Sequence, residues 1–278
     1  MRIAITGSNG QLGRALQAAF AEEELLLIDL PESDITNLEA LHARVVCFEP
    51  DLVIHTAAMT DVDGCERDPE AAYRINVIGT RNVAVAAQQS QCPLVYISTD
   101  YVFDGTRQEP YWEYDAPHPL SVYARTKWMG ECVARDLVNA CYVVRIAWLY
   151  GDGPRNFVRT VLRLAQERDT LHMVTDEIGS PTYARDVAAA LKQLVRLPAY
   201  GVYHLPNAGT CSRYEWAAEI LRLAGREDVT LVPTQNYARA ARVPKHVALH
   251  NALGAAVGIT MRPWREALQD YMQHLAHG

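Results

Sequence analysis

Tyr123 and Lys127 stand four residues apart, so on a helix their side chains share one face and can reach one point. Thr99 follows an apolar run over residues 94–98 and precedes the tyrosine by 24 residues. Together these types suit delivery of a proton to an oxygen that is gaining negative charge. A tyrosine hydroxyl is a competent donor, although its ordinary pKa near 10 is high for neutral pH. A neighbouring ammonium favours the phenolate and lowers that value, and a threonine hydroxyl can orient the same oxygen. Reduction of a carbonyl by hydride is the reaction that calls for this set. The plainer readings are an exposed amphipathic couple for the pair and a strand-end cap for Thr99. Against them, the chain holds only three lysines, with 23 arginines making up the rest of its 26 basic residues.

Hydride needs a carrier, and the first turn of the chain is shaped for one. Gly7, Gly10 and Gly13 form G-x-x-G-x-x-G between an apolar strand and a helix. The spacing allows a tight turn, close approach of backbone to a pyrophosphate, and close packing of helix on strand. The N–H groups over Gly7, Ser8, Asn9, Gly10, Gln11, Leu12 and Gly13 then hold the phosphates at the helix start. Asp29 ends the second apolar run, 16 residues beyond Gly13. A carboxylate there accepts both hydroxyls of an adenosine ribose and repels a 2′-phosphate, which leans the reading toward NADH over NADPH. A loop arginine such as Arg44 would shift that balance. Asp34 and Ile35 are placed against the adenine, or serve as a helix entry. Ala57 and Ala58 keep the chain small where the cofactor passes, or simply pack.

Parallel strands alternating with helices would position these residues. Strands are expected over 2–6, 25–28, 51–55, 94–98 and 142–146. Helices are expected over about 12–21, 38–48 (entered through Thr36 or Asn37), 69–89 and 123–138. Apolar runs without strict alternation, separated by helices, mean a parallel sheet covered on both faces, a doubly wound α/β fold. Beyond residue 150 the pattern loosens into helices over 156–167, 184–195, 212–224 and 263–275, with strands over 171–174, 201–205 and 229–232. The expected division is a dinucleotide-binding core over 1–150, also receiving segments of 171–205. Residues 151–278 then form mostly a smaller α/β substrate lobe interleaved with it.

With 278 residues the chain allows one large domain or a main domain with a smaller partner. An apolar content of 49% supports a sizeable core and excludes a disordered chain. The net charge of −7 argues against nucleic acid as partner. No run of 18 apolar residues offers a membrane span, and with a first strand expected from Arg2 no signal peptide is expected before the fold. The six cysteines (Cys47, Cys65, Cys92, Cys132, Cys141, Cys211) show no C-x-x-C, as expected of reduced thiols in a cytoplasm. The nine histidines, His274 and His277 included, lack metal-ligand spacing, so no metal is expected. His55 reads as a satisfied core residue. Residues 61–66 read as a solvated acidic turn in which Cys65 has no basic partner to activate it. No residue set implies a Mg²⁺ dependence.

Four segments carry a resemblance: Gly7-Ser8-Asn9-Gly10-Gln11-Leu12-Gly13, His55-Thr56-Ala57-Ala58, Ser98-Thr99-Asp100-Tyr101-Val102-Phe103-Asp104-Gly105 and Tyr123-Ala124-Arg125-Thr126-Lys127. They are similar to the extended short-chain dehydrogenase/reductases. More narrowly, the chain resembles the dTDP-4-dehydrorhamnose reductase family, through Pro119-Leu120-Ser121-Val122-Tyr123, Arg145-Ile146-Ala147-Trp148-Leu149-Tyr150, Asn156-Phe157 and Asp176-Glu177-Ile178-Gly179-Ser180-Pro181-Thr182. The resemblance implies Thr99, Tyr123 and Lys127 as the catalytic set, with Lys127 also on the nicotinamide ribose. It implies Thr60 and Asn76 beside the cofactor, and Thr60, Val62, Thr99, Asp100, Tyr101, Trp148, Asn156 and Arg242 on the substrate side. From the residues alone, Trp148 reads equally as a core aromatic, Asn156 as a helix cap and Asp100 as a turn former.

The activity implied is reduction of the C4 ketone of dTDP-6-deoxy-L-lyxo-4-hexulose (dTDP-4-dehydro-6-deoxy-L-mannose) to dTDP-L-rhamnose by NADH or NADPH, in a monomer or homodimer. Where the family typically has Ala-Arg-Arg-Pro and then a serine and a leucine, this chain reads Ala241-Arg242-Val243-Pro244-Lys245-His246-Val247. Loss of an arginine from a phosphate-facing loop should weaken nucleotide-sugar binding unless Lys245 or Arg239 compensates. Three alternatives stay open: a reductase of another nucleotide-linked 4-keto sugar, a non-catalytic subunit similar to the methionine adenosyltransferase beta subunit, and a redox-sensing binding protein. Epimerases and dehydratases of this kind often place Asp-Glu after the threonine, whereas Asp100-Tyr101 follows it here, which argues for net reduction.

Overall fold

The computed structural model describes residues 1–235 and 237–277, with His277 described in its backbone alone. Strands β1 (Arg2–Thr6), β2 (Glu24–Ile28), β3 (Leu52–His55), β4 (Leu94–Thr99) and β5 (Cys141–Ile146) form a parallel sheet, and the Gly201–His204 strand (β10, after four short strands named below) adds to its edge. The spatial order is β10-β5-β4-β3-β1-β2, so chain direction across the sheet reverses between β1 and β3. In open α/β sheets a ligand crevice opens at that reversal, beyond the carboxyl ends of the strands. Every residue of β3, β4 and β5 is buried, which explains the unbroken apolar runs that mark them in the sequence.

Helices α1 (Gln11–Ala19), α2 (Leu38–Phe48), α3 (Val62–Arg67), α4 (Pro69–Tyr73), α5 (Thr80–Gln89), α6 (Val122–Leu137), α7 (Phe157–Glu167), α8 (Ala184–Leu194), α9 (Arg213–Leu223), α10 (Leu253–Ala256) and α11 (Trp264–His277) complete the order. Leu12 and Leu16 of α1 and Val187 and Leu191 of α8 pack with Ile3 and Ile5 on one sheet face. Leu41, Val45, Val83 and Ala134, from α2, α5 and α6, cover the other face. A third core joins α7, α9 and α11 through Val158, Trp216 and Leu268.

Asn37 caps α2 through its side chain, Ser121 caps α6 and Ser212 caps α9 in a reciprocal box with Glu215, each supplying an acceptor for an otherwise orphaned N–H. The helix expected over 69–89 is broken. Between α4 and α5, residues Arg74–Gly79 form a π-helical turn. The inserted residue widens the turn at buried Asn76, a feature hydrophobic periodicity cannot show. The acidic stretch expected to be a turn is helix α3, whose N-cap Asp61 accepts the Gly64 N–H, with Cys65 buried inside it. The pairs β6 (Leu149–Tyr150) with β9 (Thr182–Tyr183), β8 (Ile178–Gly179) with β11 (Cys211–Ser212), and β7 (Thr170–Val174) with β12 (Thr230–Thr234) lie outside the main sheet. Two-residue strands are too short for any alternation to register in the sequence. Among the described residues no helix is long and apolar enough to cross a membrane.

Candidate active site

A cleft of about 880 Å³ opens where the strand order reverses. It is lined by the turns after β1, β2, β3 and β4 and by the chain following β5. The β1 turn is built from glycine for steric reasons. Gly7 has φ +68°, and a Cβ on it would lie 2.6 Å from the Ala57 amide nitrogen. A Cβ on Gly13 would lie 2.3 Å from the Gly7 carbonyl oxygen, so α1 could not approach the turn with any larger residue. The N-cap of α1 is Gly10, with no side chain capping the helix and no acid in its first turn. Helix N–H groups left without such partners suit an anionic phosphate.

Asp29 lines the same cleft, and its carboxylate holds the glycine turn in place. One oxygen accepts the Asn9 N–H at 2.7 Å and the other the Leu30 N–H at 2.8 Å. Asp34, Ile35, Ala57, Ala58, Thr60, Asn9, Gln11 and Leu12 also reach the cleft. Ser8 and Gly13 do not. Ser8 is buried with its carbonyl accepting from the Gln17 side chain, and Gly13 acts by its smallness. Asn76 stands behind the wall. Its amide accepts the Met59 N–H at 2.8 Å, donates to the Met59 carbonyl at 3.2 Å and donates to Thr126 at 3.0 Å, tying the β3 turn to α6. The sequence did not single out Ser33, Arg74, Pro154 or Arg155, which also line the cleft. Ser33, Pro154 and Arg155 come from loops and Arg74 from the π-helical turn, and only chain closure brings them there.

Thr99, Tyr123 and Lys127 meet in the cleft. The Thr99 hydroxyl donates to Asp100 at 2.9 Å and accepts the Tyr101 N–H at 3.2 Å. Burial pushes the Tyr123 phenol well above its usual range, with Thr99 acting in the opposite sense. The ammonium of Lys127 donates to the Ile97 carbonyl at 2.7 Å and sits 4.3 Å from the Tyr96 ring centroid. Burial lowers Lys127 to about 7, against the pull of Glu131. The resting tyrosine therefore keeps its proton, which suits a donor.

On the substrate side, Thr60, Thr99, Asp100 and Trp148 line the cleft. Val62 and Tyr101 pack behind it with Tyr123 and Trp148, and the Tyr101 ring stands edge-on to Tyr123 at 6.0 Å. Asn156 lies outside the cleft. It caps α7 through the Arg159 N–H and donates to the Gly151 carbonyl and the Tyr271 hydroxyl, 2.9 Å each. Arg242 is exposed outside the cleft, Val243 packs into the Tyr101–Phe103 cluster, and Lys245 pairs with Asp176 at 2.6 Å. The cation that does reach Trp148 is Arg213, at 3.6 Å from its ring centroid and paired with Glu177. No sequence spacing marks Arg213. It stands at the start of α9 and arrives by tertiary packing. Arg239 lies between Asp63 and Glu177. Among the described residues, no group of three or more His, Cys, Asp or Glu stands where it could hold a metal ion.

The family model described as the RmlD substrate binding domain matches residues 1–277. The chain belongs to the dTDP-4-dehydrorhamnose reductase family. It is 37% identical to the spore coat polysaccharide biosynthesis protein SpsK of Bacillus subtilis over 275 residues, covering 98% of this chain and 97% of that one. The crystal structure of a dTDP-4-dehydrorhamnose reductase ortholog from Clostridium acetobutylicum superposes with a TM-score of 0.96 at 40% identity, covering 99% and 100% of the two chains. The dTDP-4-dehydrorhamnose reductase of Bacillus anthracis, solved in complex with NADP, superposes with a TM-score of 0.95 at 40% identity, covering 98% and 99%. Membership in the dTDP-4-dehydrorhamnose reductase family makes this chain an NAD(P)H-dependent oxidoreductase with a Rossmann fold and a nucleotide-sugar substrate. The glycine turn and the open end of α1 fit the cofactor's pyrophosphate.

Proposed function

We propose that the protein reduces the C4 ketone of dTDP-6-deoxy-L-lyxo-4-hexulose, giving dTDP-L-rhamnose. The observation that carries this reading is the meeting of Thr99, Tyr123 and Lys127 in one cleft with the glycine turn. The backbone from Gly7 to Leu12 would hold the pyrophosphate and Asp29 the adenosine ribose, with Asp34 and Ile35 beside the adenine. Lys127 would hold the nicotinamide ribose, with Thr60 and Ala57–Ala58 along the cofactor's path. NAD(P)H supplies the hydride. Thr99 orients the substrate carbonyl and Tyr123 gives its proton to the oxygen as charge develops there. Val62, Tyr101 and Trp148 shape the apolar wall against the sugar. Residues 1–150 with α8 and β10 would serve the cofactor, and most of 151–278 the nucleotide sugar. Asp29 favours NADH over NADPH, and we place the enzyme in the cytoplasm as a monomer or homodimer.

The outward position of Arg242 and the packing of Val243 favour, as the second reading, a different nucleotide-linked 4-keto sugar. The deciding experiment follows NADH and NADPH oxidation with enzymatically prepared dTDP-4-keto-rhamnose, beside Tyr123→Phe and with the product identified. Fast turnover that collapses in the variant supports the assignment. Tight cofactor binding without turnover would sink it and point to other keto sugars, or to a regulatory role with a partner enzyme.

A further inference from the structure

Tyr96, in the middle of β4, is buried behind the cleft and does not line it. It nevertheless holds Lys127 at both ends. The Tyr96 hydroxyl donates to the Lys127 carbonyl at 3.0 Å, and the Lys127 ammonium sits 4.3 Å from the centroid of the same ring. The lysine side chain thus folds back over the residue that fixes its own backbone. Gly130 of α6 makes this approach possible, because a Cβ there would run into the Tyr96 hydroxyl. The ammonium also donates at 2.7 Å to the carbonyl of Ile97, the residue after Tyr96. A buried ammonium is costly to keep charged, and an aromatic face offsets part of that cost through the negative potential above its ring.

Resting on the reading of Lys127 as the group that holds the nicotinamide ribose, we propose that Tyr96 is the positioning residue for Lys127. Its ring carries the ammonium as a cation beside the cofactor. Its hydroxyl fixes the turn of α6 from which the lysine projects, and so fixes the ring beneath the ammonium. An aliphatic residue at this place would fill the space and do neither.

The other ionisable groups around Lys127 do not replace the ring. Glu131 of α6 favours the charged lysine, but its carboxylate is engaged by Arg145 of β5 and by Ser98. His55 of β3 stands 5.7 Å from the Tyr96 ring and is neutral, since burial lowers it to about 3. Glu66 of α3 accepts the Val122 N–H at the start of α6, and Arg74 and Tyr123 share the cleft with the lysine. Burial leaves Lys127 at about 7, so modest changes around it decide how much of it is charged at neutral pH.

Two measurements test the proposal. The chain holds only three lysines, so NMR of protein isotope-labelled at the lysine ε-carbon can follow Lys127 without cofactor, assigned through Lys127→Arg. In wild type the ring should shift the Lys127 ε-protons upfield, and the signal should titrate near neutrality. Absence of that upfield shift overturns the proposal, whatever the variants do. Tyr96→Phe keeps the ring and should keep both features. Tyr96→Met fills the space without a ring, so it should lose the shift and titrate about one pH unit lower. An unchanged midpoint in Tyr96→Met overturns the proposal, because the Ile97 carbonyl and Glu131 would then suffice. The second measurement is NAD(P)H affinity against pH by fluorescence titration. Tyr96→Met should bind about twofold more weakly than wild type at about pH 6 and about tenfold more weakly at about pH 8, since its lysine loses charge earlier. A defect of equal size at every pH would mean a merely structural role and overturn the proposal. So would a defect in Tyr96→Phe as large as that in Tyr96→Met. Lys127→Met isolates the underlying reading: if it binds NAD(P)H as wild type does, Lys127 is not on the ribose, and the NMR result alone decides whether Tyr96 seats it.

Discussion

Glu131 of α6 and Arg145 of β5 form a bidentate ion pair at 2.7 and 2.9 Å, with both side chains under 5% exposed. Ser98 adds its hydroxyl to the same carboxylate at 2.5 Å, and Arg145 also donates to the Glu113 carbonyl at 3.0 Å. Since Glu131 lies one turn beyond Lys127, this pair locks the helix that carries Tyr123 and Lys127 onto the strands that carry Thr99 and Ile146. Removing one partner of a buried pair leaves the other charge uncompensated. Glu131→Gln should therefore cost about 3–5 kcal/mol of stability, read as a lowered urea midpoint. A change under about 1 kcal/mol would show that the pair carries little of the fold.

Gly13 touches the Gly7 carbonyl through the space a side chain would need. Gly13→Ala should push α1 from the turn and cost about 1–3 kcal/mol of overpacking. Its clearer signature is a loss of NAD(P)H affinity by about tenfold or more in a fluorescence titration. Unchanged affinity would mean that the helix start does not hold the pyrophosphate.

His55 and His204 are buried and held neutral, each lowered to about 3 by burial, with Lys127 and Arg145 respectively adding to the effect. In the unfolded chain both protonate near pH 6.5. Between those values the unfolded state binds more protons, so stability is intact above the unfolded pKa and falls as pH drops through it toward 3. At pH 5 each histidine should cost about 2 kcal/mol relative to pH 7. The pH slope of the urea-derived stability should roughly halve in His204→Asn. An unchanged slope would place the acid sensitivity elsewhere.

Arg213 covers the Trp148 ring at 3.6 Å, and Trp148 itself has φ +43°, so its orientation depends on what packs against it. Removing the cation should free the ring. Arg213→Ala is expected to raise KM for the nucleotide sugar about 3- to 10-fold with kcat nearly kept. A fall in kcat at constant KM would assign the arginine to the chemistry instead.

Much of the fold was legible in the residues. The buried strands announce themselves because parallel strands covered on both faces favour apolar side chains, as most of β3, β4 and β5 shows. The glycine turn was legible because Gly7 and Gly13 leave no room for a Cβ, and the Tyr123–Lys127 pair because helical geometry converts a spacing of four into a shared face. The π turn at Asn76 was not legible, since one inserted residue leaves no trace in a short apolar pattern. Likewise Asn156 carried the signature of a helix cap, and in the structure it is one.

By itself, then, the sequence determined the doubly wound class, the placement of the glycine turn and the shared helical face of Tyr123 and Lys127, because each depends on local sterics or short-range periodicity. Tertiary structure alone decided where charges ended up. It turned Lys127 toward Ile97 and Tyr96 and brought Arg213 over Trp148. It also set Arg242 outward and buried Asp100 with one oxygen unpaired. Charge is governed by desolvation and by neighbours far apart in the chain, and neither exists until the lobes have closed on each other.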